Sequence, residues 1–200
     1  ITETSTFVTM NWPGKNRTMG SCGLALPGLV VRIINPENNK DASLNQEGEL
    51  ICRGPNVMQE YHNKPEETKK VLKDGWYYTG DLAKQDENGF LTITGRLKEI
   101  IIRGGQNISP TEVEEAILKN EKVLDCAVVG LPHDQLGEIP GAFVILKEGY
   151  KLDEQNIIDE CKEIISDYKV PEKIIQTDNI PRTGSGKTMR YKLIQSYKNI

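Results

Sequence analysis

The apolar positions of this chain change rhythm near its middle. In the first half they come in short blocks separated by turn residues. Leu29–Ile34, "LVVRII", is rich in β-branched side chains. Gly48–Gly54, "GELICRG", alternates polar and apolar positions, and Phe90–Thr94, "FLTIT", follows the turn "DENG". Each block predicts a short strand. One helix is predicted over Pro65–Lys73, "PEETKKVLK". Proline suits the first helical position, and acids lead while lysines trail, as the helix dipole favours.

In the second half helical periodicity is mixed with strands. Lys98–Gly105, "KEIIIRGG", reads as a strand ending in two glycines. A helix is predicted to open at "SPTEVEEAILKN", with Ser109 as N-cap, Pro110 in the first turn and Glu112 completing a capping box. "LDCAVVGL" and "GAFVILKEG" are strand-like. "EQNIIDECKEIISDY" places Ile157, Cys161, Ile164, Ile165 and Tyr168 on one helical stripe. "EKIIQT" predicts another strand, and a last helix is expected to begin near Thr188. The pattern is α+β: a β-rich piece over residues 1–97, then a small α+β unit over residues 98–200. The boundary falls near "GRLK", Gly95–Lys98, and there is no internal repeat.

Composition narrows the function. With 37% hydrophobic and 27% charged residues the chain can build a core, and no apolar run approaches the length of a membrane span. A net charge of -4 argues against non-specific nucleic-acid binding, which needs a basic face. Cys22, Cys52, Cys126 and Cys161 form no C-x-x-C pair, and with two histidines a zinc site is not expected. Cys52 and Cys126 lie in apolar runs and read as small core residues, which fits a reducing cytoplasm. The first residue is Ile1 rather than Met, which points to a piece of a longer or processed chain.

"TGSGKT", Thr183–Thr188, resembles a phosphate-binding loop but fails its register. A P-loop needs G-x-x-x-x-G-K-[ST], so that successive backbone amides wrap the phosphates. The position of the first glycine holds Pro181, which has no amide hydrogen. Two readings remain for this stretch alone: a flexible basic loop with a solvated Lys187, or a lysine presented on a mobile glycine loop to an anionic ligand. Elsewhere, "ITETS" offers the Thr2 hydroxyl and the Glu3 carboxylate, suited to phosphate oxygens and to Mg²⁺ respectively, or is an ordinary terminal segment. In "GWYYTGDLA", Asp81 is either an acceptor for a ribose diol or the start of an Asx-turn that ends a strand. Arg96 either joins the same ligand or is a surface arginine.

Five stretches stand together in order: "GSCGLALPG", "GELICRG", "GWYYTGDLA", "GRLKEIIIRGGQNISPTEVE" and "PRTGSGKTMR". In order and spacing they resemble the adenylate-forming superfamily, which holds acyl-CoA synthetases, the adenylation domains of peptide synthetases and firefly luciferase. "ITE" resembles the tail of that family's Y-G-x-T-E motif. The resemblance implies the last piece of a large N-terminal domain followed by a small, mobile C-terminal lid domain, with the rest of the N-terminal domain lying upstream.

The resemblance also implies ATP, Mg²⁺ and coenzyme A. ATP activates a carboxylic acid, most like a fatty acid, to an acyl-adenylate, and a thiol then displaces AMP. Carried over by position, Thr2 contacts the α-phosphate or adenylate, Glu3 the Mg²⁺, and Asp81 the ribose hydroxyls, with Arg96 beside it. Ile93 packs on the nucleotide and Lys98 holds the hinge position. Gly104 and Gly105 line the pantetheine path, and Lys187 is the catalytic lysine. Two alternatives accompany this reading. The 200-residue chain is non-catalytic by itself, or it belongs to an adenylation domain whose acceptor is a carrier-protein thiol. A cytoplasmic location, or a peripheral one at a membrane, is expected.

Overall fold

The structure is a computed structural model and describes residues 1–13 and 17–198. It divides into two compact units, Ile1–Lys98 and Glu99–Ile200. The chain is α+β, as its pattern predicts. Among the described residues no helix is long and apolar enough to cross a membrane.

In the first unit, strands β1 (Thr9–Met10) and β2 (Leu24–Ala25) form a two-stranded ribbon. The main sheet contains β3 (Val30–Ile34), β4 (Gly48–Arg53), β5 (Leu72–Lys73), β6 (Trp76–Gln85) and β7 (Leu91–Arg96), with helix α1 (Pro65–Val71) before β5. Its order is β3–β4–β6–β5, with β7 also on β6, and every pairing is antiparallel. Leu29, Ile33, Leu50, Cys52, Tyr77, Ala83 and Leu91 are packed together as the core.

Two expectations shift here. The pattern predicts alternation in β4, yet Gly48 through Cys52 are all buried, Glu49 included. The strand is central, held between β3 and β6, and a strand covered on both faces loses its polar side. Helix α1 stops at Val71, two residues early, because Leu72 turns extended and pairs with Tyr77. The hairpin that follows turns on Asp74 (φ 50°) and Gly75 (φ 78°). Asp-Gly with both residues at positive φ is the favoured two-residue hairpin loop.

The second unit contains β8 (Ile101–Arg103), β9 (Gln106–Ile108), α2 (Pro110–Ile117), β10 (Val123–His133), β11 (Gly137–Leu146), α3 (Glu154–Ile164), β12 (Lys173–Gln176) and α4 (Arg190–Tyr197). The sheet order is β10–β11–β8–β9, with β12 parallel to β11. Helices lie on both faces. Val128 and Val144 join Val113 and Ile117 of α2 and Ile157 and Cys161 of α3. Val129 and Phe143 join Ile180 and Leu193, the latter on α4. A strand buried on both faces reads as a continuous apolar run, which explains "CAVV".

The predicted capping box of α2 does not form. Ser109 and Pro110 stand where expected, but Ser109 makes no side-chain cap bond, and Glu112 instead accepts two hydrogen bonds from Lys169 Nζ at 2.6 and 2.8 Å. In α3, Asp153 caps the helix by accepting from Asn156 N–H. Of the predicted stripe, Ile157 and Cys161 are buried, and Ile165 and Tyr168, beyond the helix end, pack against the same core, whereas Ile164 is half exposed. Burial pushes the Cys126 thiol up to about 12 and those of Cys52 and Cys161 up to about 11, so all three stay protonated core groups.

Candidate functional site

Asp81 owes its position to a defect in the sheet. Strands β4 and β6 pair in register at Glu49↔Leu82 and again at Ile51↔Tyr78. Thr79, Gly80 and Asp81 therefore stand opposite the single residue Leu50, a bulge that bends β6 and re-aims its side chains. Gly80 takes φ 70°, a conformation costly for any residue with a Cβ. The bulge is fastened from beneath. The buried Thr79 hydroxyl donates to Leu50 O at 2.7 Å and accepts from Asp81 N–H at 3.0 Å. Gly80 N–H donates to Glu49 Oε1 at 3.0 Å. Burial pushes the Glu49 carboxyl above the usual range, against the opposing pull of the Gly80 bond.

Asp81 thus lies within a strand rather than at a turn that ends one, and it faces Arg96 directly across β7. Arg96 Nε donates to Asp81 Oδ1 at 2.6 Å. The two residues expected at the ribose are therefore a cross-strand ion pair. Ile93, also on β7, is 44% exposed and registers with Ala83. Lys98 is exposed and is the last residue of the first unit.

Replacing Gly80 tests the bulge. No atom lies within 4 Å of a Cβ built there, so space is not the obstacle; the left-handed backbone is. Gly80→Ala is expected to lower the stability of the first unit by about 1–2 kcal/mol, and Gly80→Asn by less. Both tryptophans, Trp12 and Trp76, lie in this unit, so urea unfolding followed by tryptophan fluorescence reads it selectively. Identical midpoints for all three proteins would show that the bulge does not need its glycine.

Thr2 and Glu3 sit in a 3-10 turn over Thr2–Thr4. The turn is tied to the segment around Asn56: Asn56 Nδ2 donates to Thr4 O and Phe7 O, both at 2.9 Å, and Met58 N–H donates to Glu3 O at 2.7 Å. Thr2 is exposed. Tyr61 donates its hydroxyl to Glu3 Oε1 at 2.8 Å. Burial, then the Glu3 carboxylate, hold the Tyr61 phenol above its ordinary value. Tyr77 beside it is pushed up by burial and by the charges of Glu3 and Asp81. Glu3 and Asp81, far apart in sequence, thus act on one phenol. Sequence reasoning missed both tyrosines: Tyr61 stands in a polar segment, and Tyr77 is one of three consecutive aromatics beside Asp81.

In the second unit Gly104 (φ 54°) and Gly105 (φ 85°) form the two-residue turn between β8 and β9. Two consecutive positive φ values select glycine whatever passes nearby. Gly104 N–H donates to Leu136 O at 2.8 Å, and Gly105 faces open space.

Lys187 is exposed at the end of a loop whose base is built, not limp. Thr183 N–H donates to Lys187 O at 2.8 Å, and Lys187 N–H donates to Thr183 Oγ1 at 3.1 Å. Arg182 and Thr188 form a bridge, and Met189 N–H donates to Pro181 O at 2.8 Å. Gly184 and Gly186 at the tip have nothing within 4 Å of a built Cβ. The expectation of a flexible loop therefore applies to the tip alone. Immediately after the loop, Arg190 places Nη2 3.0 Å from Glu114 Oε1 and Nε 3.1 Å from Glu99 Oε2. Glu114 also accepts from Val128 N–H at 2.8 Å.

Comparison with known proteins finds family matches in both units. Residues 1–62 match the model of the AMP-binding enzyme family, and residues 112–187 match that of the AMP-binding enzyme C-terminal domain. The chain belongs to the AMP-binding, adenylate-forming enzyme family. Among curated relatives of this family, the long-chain-fatty-acid–CoA ligase of Bacillus subtilis is 42% identical over 91% of the chain, which covers 32% of that protein. The medium-chain acyl-CoA ligase ACSF2 of Rattus norvegicus is 41% identical over 96% of the chain, again 32% of that protein. The crystal structure of ATP-bound MatB from Rhodopseudomonas palustris superposes with a TM-score of 0.93 at 36% identity, covering all of this chain and 40% of that one. The chain thus spans about a third of the length of the curated ligases it matches.

Proposed function

We propose that a complete enzyme containing this chain activates a carboxylic acid, most like a fatty acid, with ATP to an acyl-adenylate, and then transfers the acyl group to coenzyme A. The observation that carries the nucleotide half is the bulge-presented Asp81 held by Arg96 at 2.6 Å. A carboxylate fixed by a guanidinium is pre-oriented to accept hydrogen bonds from a ribose diol, and an acidic residue plays that part in dinucleotide folds. Ile93, exposed on the same strand as Arg96, offers an apolar surface to the nucleotide. The acyl and CoA halves are supported by the names of the two curated relatives, both acyl-CoA ligases.

Glu3 fits a magnesium ion. One carboxylate plus water and substrate phosphates is the usual protein share of such a site, and the Tyr61 bond engages Oε1, leaving Oε2 for the metal. Bound there, Mg²⁺ would neutralise phosphate charge. The chain's own residues hold the rest: Thr2 offers its hydroxyl to the α-phosphate, and Lys187 brings a compact cation to the charge that shifts at phosphorus. The two units correspond to the end of the large domain and to the mobile C-terminal domain, with Lys98 at the hinge and Gly104 and Gly105 along the pantetheine path. The four free cysteines favour a reducing, cytoplasmic setting.

ATP–pyrophosphate exchange by the complete enzyme across a panel of carboxylic acids tests this reading; an enzyme that exchanges with none of them would refute it. Coenzyme A against a carrier-protein thiol as acceptor separates the two thioester alternatives. The isolated 200-residue chain is expected to bind Mg-ATP only weakly, because no glycine-rich loop within it cradles the phosphates. Titration calorimetry checks this, and micromolar affinity would show that the nucleotide site is more nearly self-sufficient.

A further inference from the structure

Strand β10 carries a bulge of its own. Val123 pairs with Leu146 and Asp125 with Ile145, so two residues of β10 advance against one of β11. The extra residue, Leu124, is 61% exposed. What the bulge changes is the direction of Asp125, since an extra residue re-aims the side chains beside it. Asp125 accepts from Arg182 Nη2 on both carboxylate oxygens, at 3.0 and 2.8 Å, and its Oδ1 also accepts from Cys126 N–H at 2.9 Å. The other arm of the same guanidinium works inside the lysine loop: Arg182 Nη1 donates to Thr188 Oγ1 at 3.1 Å and to Gly186 O at 3.3 Å. Arg182 therefore clamps the two residues that flank Lys187 and ties them to the sheet.

We propose that Asp125 is a positioning residue for Lys187, acting through Arg182. The proposal rests on the reading of Lys187 as the cation of the adenylating step. Lys187 has both backbone groups bonded to Thr183, and Thr183 adjoins Arg182, so the Cα of Lys187 is located by the sheet rather than by the glycines. Its side chain remains exposed and, among the described residues, has no acidic partner in an ion pair. The clamp fixes where the lysine stands and leaves its ammonium free for a ligand. An isolated ion pair at this exposure, 40% and 36%, contributes little. Here Nη2 alone holds both carboxylate oxygens while Nη1 serves two loop bonds, a division of donors in one rigid plane that the single ammonium of lysine cannot reproduce.

The test has two readouts. In the 200-residue chain, Asp125→Ala is expected to speed amide exchange at Gly186, Lys187 and Met189 by roughly five- to tenfold, with Val128 and Val144 unchanged. In a complete enzyme, the same change is expected to lower kcat for ATP–pyrophosphate exchange by a similar factor, with KM for ATP and the thioester step unchanged. The double swap Asp125→Arg with Arg182→Asp is expected to recover part of both. Unchanged amide exchange overturns the proposal, and so does a loosened loop with an unchanged adenylation rate. In either case the role of Lys187 stands if Lys187→Ala, measured in parallel, is inactive; an active Lys187→Ala overturns that role instead.

Discussion

Lys187→Ala in a complete enzyme containing this chain is expected to reduce ATP–pyrophosphate exchange by about 10²–10³-fold, while thioester formation from a supplied acyl-adenylate keeps its rate. The magnitude is that of one preorganised charge or donor removed from developing transition-state charge, about 2.7–4 kcal/mol. The asymmetry follows from the chemistry. Adenylation gathers a carboxylate and a triphosphate, both anionic, whereas attack of a thiol on the adenylate leaves AMP with no triphosphate to neutralise. The backbone of Lys187 is anchored through Thr183 and so does not depend on its own side chain. The alanine variant should therefore keep its loop, and a lost rate cannot be charged to a lost fold. Equal losses in both half-reactions would contradict the assignment, and normal exchange would end it.

Arg190→Ala is expected to destabilise the second unit by about 3 kcal/mol at neutral pH. Arg190 and Glu114 are largely buried, with side chains 16% and 17% exposed. Removing one partner of a buried pair leaves an uncompensated charge, at a cost of about 3–5 kcal/mol, and the lower end applies because burial is incomplete. Glu114 also gives the prediction a pH signature. Burial already holds its carboxyl above the usual range, and Arg190 is the first influence opposing that shift. Without Arg190 the shift grows. A carboxyl whose folded pKa exceeds its unfolded value binds more protons when folded, so stability falls as pH rises through that window and is recovered below it.

The destabilisation should accordingly shrink as pH is lowered toward the ordinary carboxylate range. Glu114→Gln in the Arg190→Ala background should restore part of it at neutral pH, since Gln can still accept from Val128 N–H. Amide exchange of β10 and β11 reads this unit, while tryptophan fluorescence, confined to the first unit, serves as the control. A loss that is the same at every pH would show that Glu114 is not its source.

Part of the candidate site was legible from residues alone. Asp81 as an acceptor for a ribose diol, Arg96 beside it and Lys187 as a cation for an anionic ligand were each one of two open readings, and the structure pairs the first two. The proline at position 181 argued against a P-loop, and the amides of Thr183, Gly186 and Met189 are spent on the loop's own carbonyls. Other features carried no local signal. Glu49 looked like the polar position of an alternating strand and is instead buried beneath Gly80. Glu112 looked like half of a capping box and serves Lys169, 57 positions away. The Asp74–Gly75 hairpin was not expected, although its dipeptide signals one, and it shortens the predicted helix before it.

The sequence by itself determined the alternation of strands and helices, the turns that need glycine, and the membership in an adenylate-forming family, because propensity, φ preference and motif spacing are local properties of the chain. The tertiary structure decided where the candidate side chains point. Asp81 is aimed by an irregularity between β4 and β6, and Asp125 by one between β10 and β11. A bulge exists only in the register of two strands, and the partner that gives an acid its meaning, Arg96 or Arg182, is chosen by that register. Pairing across 15 or 57 positions is set by packing of whole sheets, which no window along the chain contains.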